Sequence, residues 1–431
     1  MSRLAVLSGS SVLQAAANAV AALIATQALG PQERGLMVLG LTVGSIYGLV
    51  GGLGSGPAFR SQLPCAHLPG AHLPGAQLPG AQLPGARQPA ARRNLVTAFT
   101  WCTIAGTLLA TAAAVATVAV SAAWIDPALR SVPFLAATAS CTVAQVLLAQ
   151  VPDGWFADGR FRRGALGAAA MGAGGLAGVL ATLTVSSSAA SVLCGQALGM
   201  LVVGVAEVAA LRRADLIGLA GFELAQVLSL LRAGVPALGL TVGLAVALRA
   251  DRYLLGAVAG AAAVGIYSLA ATLSEVSRLL PASLGQLYLR DASTRLGAAR
   301  LEPTIRFAIV SAVACGLIVA AGGWMLIVPV FGGQFAPARE LLMVLIVAEV
   351  CLAPYSVASR GLLGGGWTTA AGLLGIAGSL VALAAYAMSA VVAGAMGVAT
   401  GSVAVYAGLS FVSYRMLRRR VGSRPQPVGS G

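Results

Sequence analysis

The chain has 431 residues, of which 58% are hydrophobic and 9% are charged, and its mean hydropathy is +0.88. These values exclude a soluble globular protein, in which about 25% of residues are charged. The formal net charge of +14 arises from 27 arginines without any lysine, so its meaning depends on where the arginines lie.

Apolar stretches of about 20 residues recur along the chain, and each is long enough for a helix to cross a bilayer core of about 30 Å. The sequence therefore predicts an all-α integral membrane protein with about twelve transmembrane helices. The first stretch continues past the length of a signal peptide, so we expect it to be retained. The predicted spans are 5–29, 35–57, 96–124, 132–152, 164–186, 190–211, 233–250, 264–288, 304–331, 338–360, 366–389 and 391–414.

The arginines are distributed unevenly between the two predicted sides of the membrane. Twenty-one fall in segments on one side and Arg278 falls inside a span, while the other side holds only Arg34, Arg130, Arg249, Arg252 and Arg339. The positive-inside rule then predicts that both termini are cytoplasmic, and attraction to anionic lipid accounts for the charge. We expect the bilayer, and no nucleic acid, as the partner of this charge. Absence of lysine with abundant Ala and Gly is typical of a GC-rich bacterial genome, which indicates the bacterial inner membrane.

Residues 63–92 repeat one pentad six times, with Pro at the second position and Ala at the fourth. Regular Pro removes backbone donors and the following Gly favours turns, so the array cannot form a spanning helix. It is predicted to be a cytoplasmic loop, with a short pentapeptide solenoid and a partner-binding segment as open alternatives. His67 and His72, within this loop, are not expected to bind metal. The six cysteines contain no CxxC pair and are expected to be buried apolar residues.

An internal repeat with an offset of about 230 residues relates the two halves of the chain. It pairs Gly30 with Gly260, Gly35 with Gly265 and Arg60 with Arg290. The repeat predicts two six-helix lobes in parallel orientation. The expected boundaries are 1–212 for the first lobe, 213–232 for the cytoplasmic connection, 233–416 for the second lobe and 417–431 for a basic tail.

Three segments resemble the polysaccharide and lipid-linked oligosaccharide flippases, which belong to the superfamily of the multidrug and toxin extrusion (MATE) transporters. The segments are "LGPQERGLMVLGL" from Leu29, "RADRYLLGAVAGAAAVGIYSLAATLSEVSRLLPASLGQLYLRDAS" from Arg249 and "VFGGQFAPARELLMVLIVAEV" from Val330. The resemblance implies a MATE-like fold and export of a lipid-linked oligosaccharide by alternating access. The pentad array departs from the family, which usually has a compact, charged connection there.

Ionisable side chains inside spans are costly, so those present are expected to face a hydrated interior. Glu207, Glu349 and the pair Glu275 and Arg278 lie within predicted helices. Glu275 and Arg278 are three residues apart and can also form a purely local ion pair. The cluster Arg249, Asp251 and Arg252 is placed at the outer end of the seventh span, where snorkelling to the headgroups is an equally open interpretation.

The resemblance implies a polyprenyl diphosphate carrying a sugar chain as substrate. Guanidinium groups pair with phosphate oxygens bidentately, which makes Arg249, Arg252 and Arg278 the candidate diphosphate site. Sugar hydroxyls would meet uncharged polar groups, for which the candidates are Gln14, Asn18, Gln145 and Gln196. Glu207, Asp251, Glu275 and Glu349 are the candidates for coupling to H⁺ or Na⁺. No other cofactor, metal site or catalytic residue is expected, and glycan-assembly proteins are the expected protein partners.

Two other functions stay open at this stage. Export of small amphipathic cations is known from the same superfamily, but it favours an acidic or aromatic cavity. A glycan polymerase or ligase would also be polytopic and cationic, but the predicted outer loops are short and contain no His, and no DxD motif occurs. Asp153 and Asp158 are predicted to lie in a solvated cytoplasmic loop. A purely structural role would leave the repeated lobes unexplained.

Overall fold

The computed structural model describes residues 3–63, 88–219, 221–292 and 297–422, and every regular element in these ranges is helical. Short 3-10 turns occupy Pro127–Arg130, Glu275–Arg278 and Gly333–Phe335. The α-helices are α1 (Arg3–Ala28), α2 (Pro31–Gly51), α3 (Ser55–Gln62), α4 (Gln88–Ser121), α5 (Val132–Ala157), α6 (Phe161–Leu183), α7 (Ala189–Arg213), α8 (Leu224–Ser274), α9 (Leu279–Asp291), α10 (Gly297–Phe331), α11 (Ala338–Gly364) and α12 (Thr368–Gly422).

Helix α8 is folded back on itself at Gly260, whose backbone is non-helical (φ 79°, ψ 174°). Sixteen residues of straight helix would separate Asp251 from Tyr267 by about 24 Å. Their side chains are instead joined by a 2.7 Å hydrogen bond. The first arm therefore runs from 224 to 259 and the second begins at 261, antiparallel to it.

Helix α12 reverses in the same way at Ala393 and Gly394, which both have non-helical backbone angles. A Cβ at Gly401 would lie 2.8 Å from the Ser389 hydroxyl, although these residues are twelve apart in sequence. Both long helices are therefore hairpins of two arms.

The chain is a multi-pass membrane protein. In the described ranges, nine helical segments are long and apolar enough to cross a bilayer, and the two that contain α8 and α12 have 66 and 54 residues. Straight helices of that length would measure about 80 to 100 Å, so each hairpin supplies two crossings of a core of about 30 Å. Large apolar side chains such as Leu108 (67% exposed) and Ile318 (72% exposed) cover the outside, as contact with lipid requires. The count of twelve spans stays a prediction.

Several predicted boundaries are wrong in ways that matter for function. Helix α2 begins at Pro31, because Pro is well suited to the first helical position, so Arg34 lies inside the helix and not in an outer segment. The first arm of α8 continues to 259, so Arg249 and Arg252 also lie inside a helix rather than at its end. Of the five arginines assigned to the outer side, Arg249 and Arg252 lie well inside a helix, while Arg34, Arg130 and Arg339 lie near helix ends.

The boundaries near the repeat array and at the end of α5 also differ. Residues 64–87, which hold most of the pentad array and both histidines, lie outside the described residues, whereas 88–92 form the start of α4. Helix α5 continues to Ala157, so Asp153 lies in a helix and not in a solvated loop. Its side chain is only 14% exposed and its Oδ1 pairs with Arg60 Nε at 3.2 Å.

The seam between the two halves of the chain is formed by α2 and the first arm of α8, which lie antiparallel. Arg249 Nη1 donates a 2.7 Å hydrogen bond to Ser45 Oγ across it. At one end of the seam, Gly35 packs against the carbonyl of Ala261 and Gly265 packs against the carbonyl of Pro31, so neither position has room for a side chain. Because the repeat pairs Gly35 with Gly265, this reciprocal contact is what a two-fold relation between the halves requires.

Candidate functional site

The two arms of α8 bring together ionisable residues that are distant in sequence. Asp251 and Arg252 come from the first arm, and Glu275 and Arg278 follow the second arm in a 3-10 turn. Glu349 comes from α11 and completes the group. These five residues and Arg249 are called the α8 cluster below.

Charges alternate through the α8 cluster. Arg252 Nη2 lies 2.5 Å from Glu275 Oε1, and Arg278 Nη2 lies 3.5 Å from Glu275 Oε2. Arg278 Nη1 is also 3.5 Å from Glu349 Oε1. Glu275 therefore bridges two guanidinium groups, and the predicted local pair of Glu275 with Arg278 is one part of a larger network.

Asp251 is held behind this network by neutral donors. Tyr267 Oη donates to Asp251 Oδ2 at 2.7 Å, and the backbone N–H of Arg252 donates to Oδ1 at 2.8 Å. Asp251 is only 3% exposed, so these bonds stabilise its carboxylate where water is scarce. Burial of Asp251 and of Arg252 (9% exposed) rules out snorkelling to the headgroups at this position.

Exposure increases from one side of the cluster to the other. The side chains of Glu349 and Arg252 are 5% and 10% exposed, whereas those of Arg278 and Glu275 are 22% and 32% exposed. Exposed charges at such positions in a membrane protein are stable only where they meet water or a polar ligand. Glu275 and Arg278 therefore form the accessible side of the cluster.

Two polar atoms of the cluster are buried without a hydrogen-bond partner in the described part of the chain. They are Arg252 Nε and Glu349 Oε2. The first can donate to an anion and the second can accept from a proton donor or a cation. Within the same ranges, no group of three or more His, Cys, Asp and Glu side chains is placed to hold a metal ion.

Arg34 is a functional candidate that sequence reasoning missed. It is 2% exposed, its Nη1 contacts only the Met37 sulfur at 3.8 Å, and its Nε has no hydrogen-bond partner among the described residues. Its position beside the glycine contacts of Gly35 makes it part of the seam.

The predicted sugar-binding residues lie on the first half of the chain and do not join the α8 cluster. Gln14 and Asn18 are half-buried on α1, where Gln14 lies against Gly172 of α6. Gln145 packs against Gly48, and Gln196 is 6% exposed with its Oε1 unpartnered in the described ranges. These four stay predictions.

Glu207 is separated from the other three candidate coupling acids. It lies on α7, where its Oε2 accepts a 2.9 Å hydrogen bond from Trp155 Nε1. A Cβ at Gly167 of α6 would meet it at 3.3 Å. The structure thus places Glu207 between α5, α6 and α7, and its coupling role stays a prediction.

One family model matches part of the chain in sequence. The model of the family "Polysaccharide biosynthesis protein" matches residues 86–288, which include Arg249, Asp251, Arg252, Glu275 and Arg278. The inferred resemblance is confirmed over this range, which holds most of the segment from Arg249, while the segments from Leu29 and Val330 lie outside it. No curated protein matches the chain in sequence.

Solved structures of transporters share the fold over nearly the whole chain. A MATE-family multidrug resistance transporter in its inward-facing conformation is 16% identical, with a TM-score of 0.71 and 95% of each chain covered. The lipid II flippase MurJ, in an inward closed conformation, is 11% identical, also with a TM-score of 0.71, covering 97% of this chain and 93% of its own. An outward-facing MATE structure is 17% identical, covers 98% and 96% of the chains and has a TM-score of 0.61. The predicted all-α, MATE-like fold is confirmed.

Proposed function

We propose that the chain is a flippase that moves a polyprenyl-diphosphate-linked oligosaccharide across the bacterial inner membrane by alternating access. The observation that carries this proposal is the α8 cluster, which places guanidinium groups beside the seam between the two halves. Arg278 is partly accessible, and Arg252 Nε has no hydrogen-bond partner among the residues that the structure describes. The MATE-like fold and the family match over residues 86–288 support the same assignment.

In this proposal the diphosphate enters beside Glu275 and Arg278 and exchanges partners within the network. A phosphate oxygen at Arg278 or Arg252 would replace the carboxylate of Glu275. This carboxylate pairs with Arg252 at 2.5 Å and with Arg278 at 3.5 Å. Because the guanidinium groups are paired before the substrate arrives, they avoid the cost of an isolated buried charge. Gln14, Asn18, Gln145 and Gln196 on the first half are the proposed contacts for the sugar chain.

The tight contacts of Gly35 and Gly265 close one end of the seam, which we assign to the outer side of the membrane. This assignment requires both termini to be cytoplasmic. The uneven distribution of the remaining arginines between the two sides supports that orientation. Separation of the seam at this end would release the substrate outside.

Transport against a gradient requires coupling, for which Glu349, Asp251 and Glu275 are the proposed carboxylates. Glu349 is the strongest of them because its Oε2 is buried and has no partner in the described ranges, so a proton or Na⁺ there would complete its bonding. Glu349→Gln is expected to remove the dependence of transport on the H⁺ or Na⁺ gradient. Glycan-assembly enzymes are the proposed partners, since they supply or consume such a substrate.

The test is flipping of a labelled polyprenyl-diphosphate oligosaccharide in proteoliposomes, read by its accessibility to a membrane-impermeant reagent. Arg252→Lys retains the charge but loses the planar fork of donors, so the rate is expected to fall about tenfold or more. The matched control is Arg306→Lys, at an arginine whose side chain is 82% exposed. An unchanged rate in Arg252→Lys, or no flipping by the wild type, would refute the proposal.

A second candidate is export of a small organic cation, which the three carboxylates of the cluster favour. The same proteoliposomes distinguish the two, because efflux of ethidium without flipping of the labelled lipid would assign the chain to cation export. Covalent change of the labelled lipid would instead indicate an enzyme.

A further inference from the structure

A pocket separate from the α8 cluster lies where α5, α6 and α7 meet at one membrane surface. Its volume is about 580 Å³, which is within the range for small-molecule sites of roughly 300 to 1,000 Å³. Arg160, Arg162 and Arg163 line it from the loop before α6 and from the first turn of that helix, and Leu166 and Glu207 line it further along.

The arginines of this pocket are positioned by a buried aromatic ring. Trp155 is fully buried, and its Nε1 is fixed by the 2.9 Å hydrogen bond to Glu207 Oε2. The guanidinium carbon of Arg163 lies 4.1 Å from the centre of that ring, and that of Arg160 lies 5.6 Å from it. Cation–π contact therefore holds Arg163 in place, although the residue as a whole is exposed.

Positive charge in the pocket exceeds negative charge. Asp158, which lies just outside the lining, pairs through Oδ2 with Arg160 Nε at 2.8 Å. Among the described residues that line the pocket, Glu207 is the only acid. No carboxylate of the described residues lies within salt-bridge distance of Arg162 or Arg163. The first turn of a helix also favours anions because of its dipole. The pocket is therefore suited to an anion.

The position of the pocket points to a lipid. Helix α6 has 23 residues and rises about 34 Å, so its first turn lies at the level of the headgroups. Directly below, Leu166 is 52% exposed, and on the adjacent α7 Val202 and Val205 are 72% and 61% exposed. An anion bound by Arg162 and Arg163 would thus continue into an apolar surface along α6 and α7 that acyl chains can cover.

We propose that this pocket binds the phosphate of an anionic glycerophospholipid, with its acyl chains lying along Leu166 and the exposed valines of α7. Arg162 and Arg163 contact the phosphate, and Trp155 and Glu207 act as positioning residues for Arg163. The site contains no residue of the α8 cluster and does not depend on what the protein transports. If the arginine asymmetry gives the orientation, the lipid belongs to the cytoplasmic leaflet.

The test is native mass spectrometry of the full chain with equal amounts of phosphatidylglycerol and phosphatidylcholine. We expect phosphatidylglycerol to be retained preferentially, and Arg162→Gln/Arg163→Gln to reduce its retention by roughly tenfold to thirtyfold. The matched control is Arg418→Gln/Arg419→Gln, which removes two exposed charges at the end of α12 and is expected to change retention less than twofold.

Three results would overturn the proposal. Equal retention of both lipids would exclude recognition of an anionic headgroup, and equal losses in the two double variants would reduce the effect to general charge. Displacement of phosphatidylglycerol by inorganic phosphate or by a polyprenyl diphosphate at similar concentration would assign the pocket to a free anion or to a transported lipid. Failure of the flipping assay would leave this site unaffected.

Discussion

Replacement of Arg34 by Met is the sharpest test of how the seam works. Arg34 is 2% exposed and has a sulfur contact but no counter-charge in the described ranges. An arginine in an apolar environment costs about 2.5 to 3.5 kcal/mol near the centre of a membrane, and less toward its surface. Arg34 lies in the first turn of α2, so its cost is expected below that range. Removing the charge should therefore stabilise the closed seam by about 2 kcal/mol, because Met preserves the unbranched shape.

This free energy corresponds to a shift of roughly thirtyfold in the equilibrium between closed and open seams. The assay is the reaction of a membrane-impermeant maleimide with a thiol introduced by Ala261→Cys in a cysteine-free chain. Ala261 is 2% exposed in the closed seam, so its labelling reports opening. Arg34→Met is expected to slow labelling and flipping and to raise the melting temperature. The matched control Arg130→Met, at an exposed arginine, should leave all three unchanged.

Faster labelling or a lower melting temperature in Arg34→Met would refute the reasoning, because it would mean that the buried charge stabilises the closed seam. Such a result would require a partner for Arg34 that compensates its desolvation.

The remaining predictions concern the same seam and the α8 cluster. Gly265→Val should speed labelling of the thiol at position 261 by tenfold or more, because its Cβ would overlap the Pro31 carbonyl. The control Gly322→Val has open space around its Cβ and should leave the labelling rate unchanged. Slow labelling in both variants would contradict the assigned seam. Glu275→Gln should lower the free energy of unfolding by about 3 kcal/mol, because two guanidinium groups lose their shared carboxylate. The control Glu302→Gln breaks an exposed pair and should lower the free energy of unfolding by less than about 0.5 kcal/mol. Both variants are measured by thermal unfolding, and equal effects would argue against a buried network.

The sequence predicted the individual members of the α8 cluster but not their arrangement. Charged residues are rare in this chain, so Glu275, Arg278 and Glu349 stood out as costly inside apolar spans. The pairing of these residues depends on the reversal of α8 at Gly260. Because the first arm of α8 continues to 259, Asp251 and Arg252 lie within the helix and are buried. A hydrophobicity pattern locates a helix but fixes its end only to within several residues, and here the predicted end was about ten residues too early.

Arg34 shows the same limitation at the start of a helix. In the sequence it follows Pro31 and Glu33 in a polar connection, a pattern that predicts a place on the outer side. The helix begins at Pro31, and packing of α2 against α8 then buries the guanidinium. Nothing local distinguishes a buried arginine of this kind from an exposed one.

The lengths of the apolar runs and the low charge are enough to identify a helical membrane protein, because the thickness and apolarity of the bilayer set both. The internal repeat and three motifs also indicated the fold that the solved transporters share. The packing of the helices determines which charges meet, which face is accessible and which atoms lack a partner in the described ranges. Those properties depend on contacts between helices such as α8 and α11, whose residues are distant in sequence and whose pairing no local pattern encodes.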